Sequence, residues 1–274
     1  MKRIYILLMA TITLGLSSCQ KEFDPASYAP PLNIGGYTSA DQIAPSNLIA
    51  YWSFDGTLTE KMSNTNGVAT GTAFTAGIKG QALQGALNGY VISNTPTAVQ
   101  NLKSFTITCW ENMPLNANGI VGLVDISNST QFWGNMTLFF ENGGTSASGN
   151  LKVHVNNNGV DNWLGNYAMA NPWDKWNQIA VTYDQTTSTY KVYVNGSIIA
   201  TQVIAGNGPL TFQNAGKMVF GTVHFQTNPS LTSATGSQSW ASYLTGQLDE
   251  VRIYNKALTI TEISSLAKLE GRGK

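Results

Sequence analysis

The chain has 274 residues with 15 basic and 15 acidic side chains, so its formal net charge is zero. Charged residues make up only 11% of it, against the ~25% usual in soluble domains, and the absence of a basic excess argues against a nucleic-acid-binding protein. The 7 Trp, 11 Tyr and 10 Phe exclude a disordered chain, and 2 Cys are too few for a disulfide-stapled scaffold. These values indicate a globular protein whose surface polarity comes mainly from amides, hydroxyls and glycine.

The first nineteen residues have the pattern of a bacterial lipoprotein signal. Lys2 and Arg3 precede an apolar run over residues 4–16, which has the length of a signal-peptide core and is too short to span a bilayer. Leu16-Ser-Ser-Cys19 resembles a lipobox, in which small residues precede a cysteine that is lipidated. We therefore predict a signal peptide over residues 1–18 and a membrane anchor on Cys19. The alternative is an ordinary secretory signal followed by a chance cysteine.

Residues 19–47 have the composition of a tether. A short stretch with Lys21, Glu22 and Asp24 follows Cys19 and resembles the signal that displays Bacteroidetes-type lipoproteins on the outer face of the outer membrane. Four prolines and a Gly-Gly pair then interrupt the segment, which has no regular apolar period. We predict a lipidated, flexible tether that holds a domain over residues 48–274 outside the cell.

Short β-strands separated by turn signals dominate the rest of the chain. Asn-Gly pairs, which adopt the positive φ angles of tight hairpins, recur between apolar runs, most clearly at Asn195-Gly196 within a hairpin over residues 190–200. Residues 259–269 fit one short helix with Thr259 or Thr261 as its cap and Gly271 after its end. The predicted strands cover residues 48–54, 89–93, 105–110, 120–126, 136–140, 151–155, 177–183, 190–194, 197–202, 218–223 and 247–254. About a dozen strands in a chain of this length suit an all-β, two-sheet antiparallel jelly-roll sandwich with one short C-terminal helix.

Several segments resemble LamG-like, concanavalin A-like domains. They are the opening run Leu-Ile-Ala-Tyr-Trp-Ser-Phe-Asp-Gly at residues 48–56, the strand at residues 104–110, the pair Trp-Asn-Gln-Ile-Ala-Val-Thr-Tyr-Asp and Tyr-Lys-Val-Tyr-Val-Asn-Gly at residues 176–184 and 190–196, and the closing run at residues 246–258. The resemblance implies the jelly-roll fold. It leaves the function open, because domains of this kind bind glycans, bind proteins, cap enzymes or space other parts.

The acidic residues do not form a recognised catalytic pattern. Laminarinase-like relatives carry Glu-x-Asp-x-x-Glu on one strand, and this sequence does not contain it. Glu111 and Asp125 are the remaining candidate pair, if they lie on neighbouring strands. His154 and His224 have no Cys or His partner at metal-ligand spacing, and Cys109 lies in an apolar strand that predicts a buried, unreactive thiol. We predict a protein that is not an enzyme.

Asp55 and Asp249 are candidate calcium ligands. The resemblance implies that the first and last strands pair, which brings these two residues together, and many relatives hold a structural Ca²⁺ with an acid of the closing strand. Two carboxylates with carbonyls and waters would supply the 6–8 oxygens that Ca²⁺ requires. The alternative is a turn cap at Asp55 and a surface ion pair between Asp249 and Arg252.

Four tryptophans lie in polar connections outside the family motifs, whereas Trp52, Trp110 and Trp176 fall on motif positions typical of the core. A sugar ring has an apolar face and a rim of hydroxyls, so a flat indole beside amide and carboxylate groups suits it. For any one of the four, the alternative is packing beneath its own loop. The predicted ligand-binding residues are Trp133, Trp163, Trp173, Trp240, Asn135, Asp161, Asn162 and Asn166.

Three functions therefore remain open from the sequence. The first is a surface lipoprotein whose domain binds a glycan or glycoconjugate without catalysis. The second is an adhesive or structural protein that binds other proteins within an outer-membrane assembly. The third is a glycoside hydrolase that uses Glu111 and Asp125. We rank them in that order.

Overall fold

The computed structural model describes residues 32–115 and 118–274, and the predicted signal peptide, Cys19 and the first part of the tether lie outside the described residues. Two eight-stranded sheets form the domain. The first sheet contains β1 (Leu48–Trp52), β3 (Ala73–Ala76), β4 (Gln81–Gln84), β6 (Phe105–Asn112), β11 (Asn177–Asp184), β12 (Thr189–Val194), β13 (Ser197–Val203) and β16 (Gln247–Tyr254). The second contains β2 (Val68–Thr70), β5 (Tyr90–Asn94), β7 (Ile120–Ile126), β8 (Met136–Phe140), β9 (Ser148–Asn157), β10 (Val160–Ala170), β14 (Lys217–Phe220) and β15 (Ala241–Ser242).

The strand order is that of a sandwich with long-range pairing. The first sheet runs β13-β12-β11-β6-β16-β4-β3, with β1 also paired to β16, and the second runs β10-β9-β8-β7-β14-β5-β2, with β15 also paired to β7. Every pairing is antiparallel except that of β15 with β7. The predicted all-β, two-sheet jelly-roll sandwich is confirmed.

The core lies between the sheets because strand residues alternate in direction. On β8, Met136, Leu138 and Phe140 belong to the core, whereas Phe139 belongs to a separate apolar cluster on the other face of the second sheet. Cys109 on β6 faces the core and is buried, and this burial raises the pKa of its thiol. Because Phe139 belongs to an apolar cluster outside the core, the second sheet has apolar residues on both faces, and its outer face supports the site described below.

In the described residues the sheets are accompanied by two α-helices, α1 (Thr97–Gln100) and α2 (Ile260–Glu270), and by short 3-10 helices at Ala40–Gln42, Pro45–Asn47 and His224–Gln226. The predicted C-terminal helix is confirmed, and Thr259 rather than Thr261 caps it. The Thr259 hydroxyl accepts a bond from the Glu262 amide, while the Glu262 carboxylate accepts one from the Thr259 amide at 2.7 Å. This reciprocal pair satisfies two amide donors that a helix start otherwise leaves free.

Asn-Gly turns close two hairpins. Asn195 and Gly196 have φ angles of 50° and 77° between β12 and β13, as the sequence predicts. Asn158 and Gly159, at 51° and 84°, form a second such turn between β9 and β10. Residues 156–166 are rich in Asn and Gly and were expected to form a connection. Instead, Asn156 and Asn157 end β9, and residues 160–166 begin β10, which pairs with β9, so Asp161, Asn162, Trp163 and Asn166 lie on a strand.

The segment before β1 lies against the domain. Ile43 is buried, the Ala40 amide donates to the Lys274 carbonyl oxygen at 3.4 Å, and an Asp41 carboxylate oxygen lies 3.2 Å from Arg252 Nη1. The flexible tether predicted over residues 19–47 therefore does not extend through residues 33–47. Within the described ranges, no helix has the length and apolarity needed to cross a bilayer.

Arg252 is a buried residue and not the partner of Asp249. Its guanidinium donates to Glu250 and to Glu270, each at 2.8 Å, and its charged end lies 3.9 Å from the centre of the Tyr51 ring. The predicted surface ion pair between Asp249 and Arg252 is thus not formed. A register shift on β16 between Asp249 and Arg252, where Glu250 has a φ of 48°, accounts for this placement.

Candidate functional site

An aromatic patch covers the outer face of the second sheet. We define it as Phe132, Trp133, Trp163 and Trp240. The Trp133 ring lies edge-to-face against that of Trp163, with centroids 4.9 Å apart and planes at 90°, and its centroid is 6.1 Å from that of Trp240. Phe132 is nearly parallel to Trp240, at 13° and 6.1 Å. Three of the four tryptophans predicted as ligand-binding residues therefore meet in one place.

Three parts of the chain bring these rings together. Trp163 lies on β10 opposite His154 of β9, so its side chain leaves the outer face of a paired strand. Phe132 and Trp133 belong to the loop between β7 and β8, and Trp240 directly precedes β15. The sites of such sandwiches are expected where a rigid sheet holds its connecting segments.

The patch is open to solvent at its two ends. Trp163 is 38% exposed and Trp240 is 40% exposed, whereas Phe132 and Trp133 between them are partly buried. Exposed aromatic rings that lie next to one another form a surface suited to recognition rather than to the core.

Buried aromatic residues support the patch from below. Phe225 lies 5.0 Å from Phe132 and 5.4 Å from Trp133, and Phe139 is nearly parallel to Trp133 at 5.5 Å. These supporting side chains are each 0–1% exposed. The upper rings therefore rest on a packed layer that fixes their orientation.

A buried ion pair joins the second sheet to the loop between β7 and β8 and to the segment between β14 and β15. Asp125 on β7 and His224 are both fully buried, with 3.2 Å between the carboxylate and Nδ1, and Thr137 on β8 donates to the same carboxylate at 2.9 Å. The other ring nitrogen of His224 lies 3.4 Å from the Gln131 carbonyl oxygen. Burial lowers the pKa of His224, but the Asp125 carboxylate outweighs burial and raises it overall.

Charged groups lie beside Trp163. The exposed Asp161 carboxylate accepts from Asn156 at 2.7 Å and lies 2.9 Å from His154 Nε2; the hydrogen bond with His154 lowers its pKa. Lys152 Nζ lies 5.2 Å from the centre of the Trp163 ring and 2.9 Å from Glu141. The patch is thus bordered by one carboxylate with free lone pairs and by one cation.

The remaining predicted ligand residues have different placements. Asn135 is buried, and its amide bonds to the Ser127 and Gln213 backbones, so it holds a loop rather than facing solvent. Trp173 packs 5.4 Å from Phe140 and donates its indole N–H to the Thr145 carbonyl oxygen, so it packs against the loop between β8 and β9 and is not part of the patch. Asn162 is 7% exposed and points to Asn207, whereas Asn166 is exposed on β10.

Several residues in and around the patch are not among the predicted ligand-binding residues. Phe132 is adjacent to Trp133 in the sequence, and Phe225 and His224 lie in a segment with no alternating pattern. His154 and Lys152 carry a readable signal, because they alternate with the core residues Leu151, Val153 and Val155 on β9 and so must share the outer face.

Glu111 and Asp125 do not form a pair. Glu111 is on β6 of the first sheet and accepts from Asn177 at 2.8 Å, whereas Asp125 is on β7 of the second sheet and bonds to His224. The expectation that they lie on neighbouring strands is wrong. Burial raises the pKa of Glu111 to about 8, with Asn177 opposing it.

Asp55 and Asp249 converge on one turn. Asp249 is buried and accepts from the Ile78, Lys79 and Glu250 amides, and Asp55 accepts from the Gln81 amide at 2.9 Å. These bonds direct carboxylate lone pairs to backbone donors, and no group of three or more His, Cys, Asp or Glu able to hold a metal occurs in the described part of the chain. The calcium site stays a prediction from resemblance, and the hydrogen bonds favour the turn-holding alternative.

Comparison with known structures gives fold-level similarity. The binding domain of Paraclostridial Mosquitocidal Protein 1 has a TM-score of 0.59 at 17% identity, covering 81% of this chain and 52% of that one. The binding domain of Botulinum Neurotoxin DC in complex with SialylT has a TM-score of 0.59 at 13% identity, covering 83% and 52%. This chain thus spans about half the length of those toxin structures.

A third structure is matched over nearly its whole length. Domain 4 of AbnA, a GH43 extracellular arabinanase from Geobacillus stearothermophilus in complex with arabinotriose, has a TM-score of 0.51 at 19% identity, covering 81% of this chain and 98% of that one. No curated protein sequence matches the chain. Residues 83–264 match the family model, which is two thirds of the sequence. The chain therefore belongs to the concanavalin A-like lectin/glucanases superfamily.

Proposed function

We propose that this domain is a non-catalytic carbohydrate-binding module and that the aromatic patch is its glycan-contacting surface. The observation that carries the proposal is the pair of exposed indoles, Trp163 and Trp240, on either side of Trp133 and beside the Asp161 carboxylate. Indole faces bury the apolar side of a sugar ring, and a carboxylate accepts bonds from its hydroxyls.

The similar structures support the same ligand class. The Botulinum Neurotoxin DC binding domain was solved in complex with SialylT, and domain 4 of the arabinanase was solved in complex with arabinotriose. Because the identities are below 20%, they support the class of ligand and carry no residue assignment.

The absence of catalysis is also part of the proposal. The two carboxylates retained as an acid pair lie in different sheets, and each is fully buried with its own polar partner. A glycosidase needs two carboxyl groups facing the same bond, roughly 5–9 Å apart. Neither Glu111 nor Asp125 presents a free carboxylate to the patch.

We further propose that the chain is a lipoprotein anchored through Cys19 to the outer membrane and facing the exterior, as the signal pattern implies. Its ligand is then a glycan or glycoconjugate met outside the cell. Metabolic labelling with an alkyne fatty acid tests the anchor directly. Labelling of the wild-type chain and not of Cys19→Ser is expected, and equal labelling of both contradicts it.

A glycan array with the full-length chain in detergent tests the binding. We expect selective binding that falls about tenfold or more in Trp163→Ala with Trp240→Ala, because loss of a central aromatic contact typically costs over 1 kcal/mol. Phe74→Ala is the matched control, since Phe74 is 37% exposed on β3 of the other sheet. An array with no signal at high protein concentration, or equal binding by the double variant, contradicts the proposal.

Protein binding through the same surface is the second candidate. One similar structure is a botulinum neurotoxin binding domain in complex with rat synaptotagmin II, so the fold also occurs in protein complexes. Tyrosine-, tryptophan- and phenylalanine-rich patches are typical of such interfaces. A pull-down from native outer membranes whose partner is lost in the double variant, together with a blank array, favours this candidate.

A further inference from the structure

A cleft of about 640 Å³ opens beside strands β2 and β5 of the second sheet, and none of its described lining residues belongs to the aromatic patch. We call it the tyrosine cleft, after Tyr90 and Tyr243, which line it with nearly parallel rings at 21° and centroids 6.3 Å apart. Its walls come from β2, the start of β5, the segment between β14 and β15, and Tyr243, which directly follows β15. The volume is within the range of roughly 300–1,000 Å³ that is usual for small-molecule sites.

Hydrogen bonds fix the walls of the tyrosine cleft. The Tyr90 hydroxyl accepts from the Asn228 amide at 3.0 Å, and the Tyr243 hydroxyl donates to the Gln226 carbonyl oxygen at 3.0 Å. The Gln226 side chain donates to the Ala241 carbonyl oxygen and accepts from the Gln238 amide at 2.9 Å. Both tyrosine hydroxyls are thus engaged within the protein, so the cleft is preformed and little ordering cost accompanies binding.

The rim of the cleft is polar and neutral. Asn88, Asn228, Ser237 and Thr70 are exposed there and offer amide and hydroxyl groups. Among the described residues that line the cleft, none has a charged side chain. A charged ligand would lose water without gaining an opposite charge, whereas a neutral ligand with many hydroxyls finds both donors and acceptors.

We infer that the tyrosine cleft is a second binding site and that it holds a neutral saccharide unit. The partly exposed Tyr243 ring, backed by the buried Tyr90 ring, supplies the apolar side of the site, and the exposed amides and hydroxyls supply its polar rim. The inference rests on the proposed carbohydrate-binding function for the class of ligand and on the cleft's own geometry for the site. The two sites share one segment, since Trp240 belongs to the patch and Phe225 supports it, while Gln226 and Ser237 line the cleft.

Gly236 allows the cleft to be blocked. It lines the cleft, its φ is outside the left-handed region, and an added Cβ would meet no atom within 4 Å. Gly236→Phe therefore introduces bulk at the cleft without backbone strain. Gly216→Phe is the matched control, because Gly216 is equally open but lines a different cleft of about 580 Å³. Tyr243→Leu is an independent variant that removes one ring and keeps apolar volume.

Saturation-transfer NMR detects glycoside binding to the full-length chain in detergent, and a titration of the same protein gives the affinity. The probes are the methyl glycosides of glucose, galactose, mannose, N-acetylglucosamine and arabinose, with glucuronic acid as the anionic counterpart. The starting protein is the Trp163→Ala, Trp240→Ala variant, so that the patch does not contribute. We expect a neutral glycoside to bind this double variant. Adding Gly236→Phe or Tyr243→Leu should raise the Kd about tenfold, because each change removes one favourable contact. Gly216→Phe should leave it unchanged.

Failure of the cleft and failure of the patch give different results. No glycoside binding to the double tryptophan variant, stronger binding of glucuronic acid than of every neutral probe, or binding that Gly236→Phe leaves unchanged overturns the cleft. Binding in the wild-type chain that Gly236→Phe abolishes and the tryptophan variant retains supports the cleft and contradicts the patch. Circular dichroism of every variant confirms that a lost signal does not come from unfolding.

Discussion

The Nε2 atom of His154 lies 2.9 Å from a carboxylate oxygen of Asp161, beside the indole of Trp163. The imidazole and indole centroids are only 4.5 Å apart, so the buried histidine connects the exposed acid to the exposed ring. All three residues lie on the hairpin of β9 and β10, whose register places Trp163 opposite His154. A strand pair therefore fixes one stacking surface and one hydrogen-bond acceptor relative to each other.

Asp161→Ala is expected to weaken glycan binding while leaving the Trp163 ring in place. The hydrogen bond with His154 lowers the pKa of Asp161, so the carboxylate stays ionised down to pH values below its ordinary value of about 3.9. Wild-type binding should thus be flat from pH 7 to pH 4.5 and fall only below that. Affinity at several pH values checks this, and Asp184→Ala, which removes a partly exposed acid on β11 of the other sheet, is the control.

His224→Gln is expected to shift the loop that carries Trp133 and so to weaken glycan binding indirectly. His224 contacts that loop and does not touch the solvent-facing rings. The folded-state pKa of His224 is raised, so its contribution to stability is present below pH about 6.5 and is lost as pH rises through the folded value. The wild-type chain should therefore lose more stability between pH 6 and pH 9 than His224→Gln does.

Melting temperature as a function of pH measures that difference. Thr137→Val provides the comparison, because it removes a hydrogen bond to the same Asp125 carboxylate without a titrating group. A pH dependence that is identical in the wild-type chain and His224→Gln would show that the ion pair does not couple to folding. In parallel, glycan affinity should fall in His224→Gln even though Trp163 and Trp240 are retained.

Local patterns in the sequence predicted the sandwich and part of the site. Asn195-Gly196 marks its hairpin because few residue pairs tolerate two positive φ angles, and Thr259 with Glu262 marks a helix start. The strand β10 was missed because its polar residues gave no strand signal of their own. Its pairing with β9 and the burial of its inward face decide its conformation.

Tertiary placement explains the errors at the site. Trp173 and Trp163 have similar polar neighbours in sequence, yet one packs on Phe140 and the other stands on a hairpin face. Asn135 reads as a surface amide, and only the approach of the Gln213 backbone shows that it is a buried loop support. Arg252 reads as a surface cation because the two glutamates that surround it come from a strand bulge and from a distant helix.

Glu111→Gln is expected to flatten the dependence of stability on pH. Burial raises the pKa of Glu111 to about 8, well above the ~4.3 of the unfolded chain, so its contribution is full below that lower value and is lost as pH rises toward 8. The slope per group is at most about 1.4 kcal/mol per pH unit. The variant keeps an oxygen that accepts from Asn177, so its stability relative to the wild-type chain should increase from pH 5 to pH 8.

Urea denaturation at several pH values measures this change. Asp184→Asn is a control of opposite sign, since hydrogen bonds from Thr186 lower the pKa of the partly exposed Asp184 carboxylate. Its contribution is present above pH about 4 and is lost as pH falls further. Parallel curves for the wild-type chain and Glu111→Gln would mean that Glu111 titrates alike in the folded and unfolded states.

Arg252→Met is expected to destabilise the domain by about 3–5 kcal/mol, because it leaves the buried Glu270 without its cation and leaves the buried Glu250 with only Lys79, whose Nζ lies 3.8 Å away. Asp41→Asn is the matched control: its carboxylate also bonds Arg252 but is 70% exposed, so its loss should cost under about 1 kcal/mol. Adding Glu250→Gln and Glu270→Gln to Arg252→Met should recover much of the loss, since no buried charge then remains unpaired. Chemical denaturation monitored by tryptophan fluorescence measures all three variants. If Asp41→Asn and Arg252→Met lowered the free energy of unfolding equally, the exposed contact with Asp41, and not the buried pairs, would account for the stabilisation by Arg252.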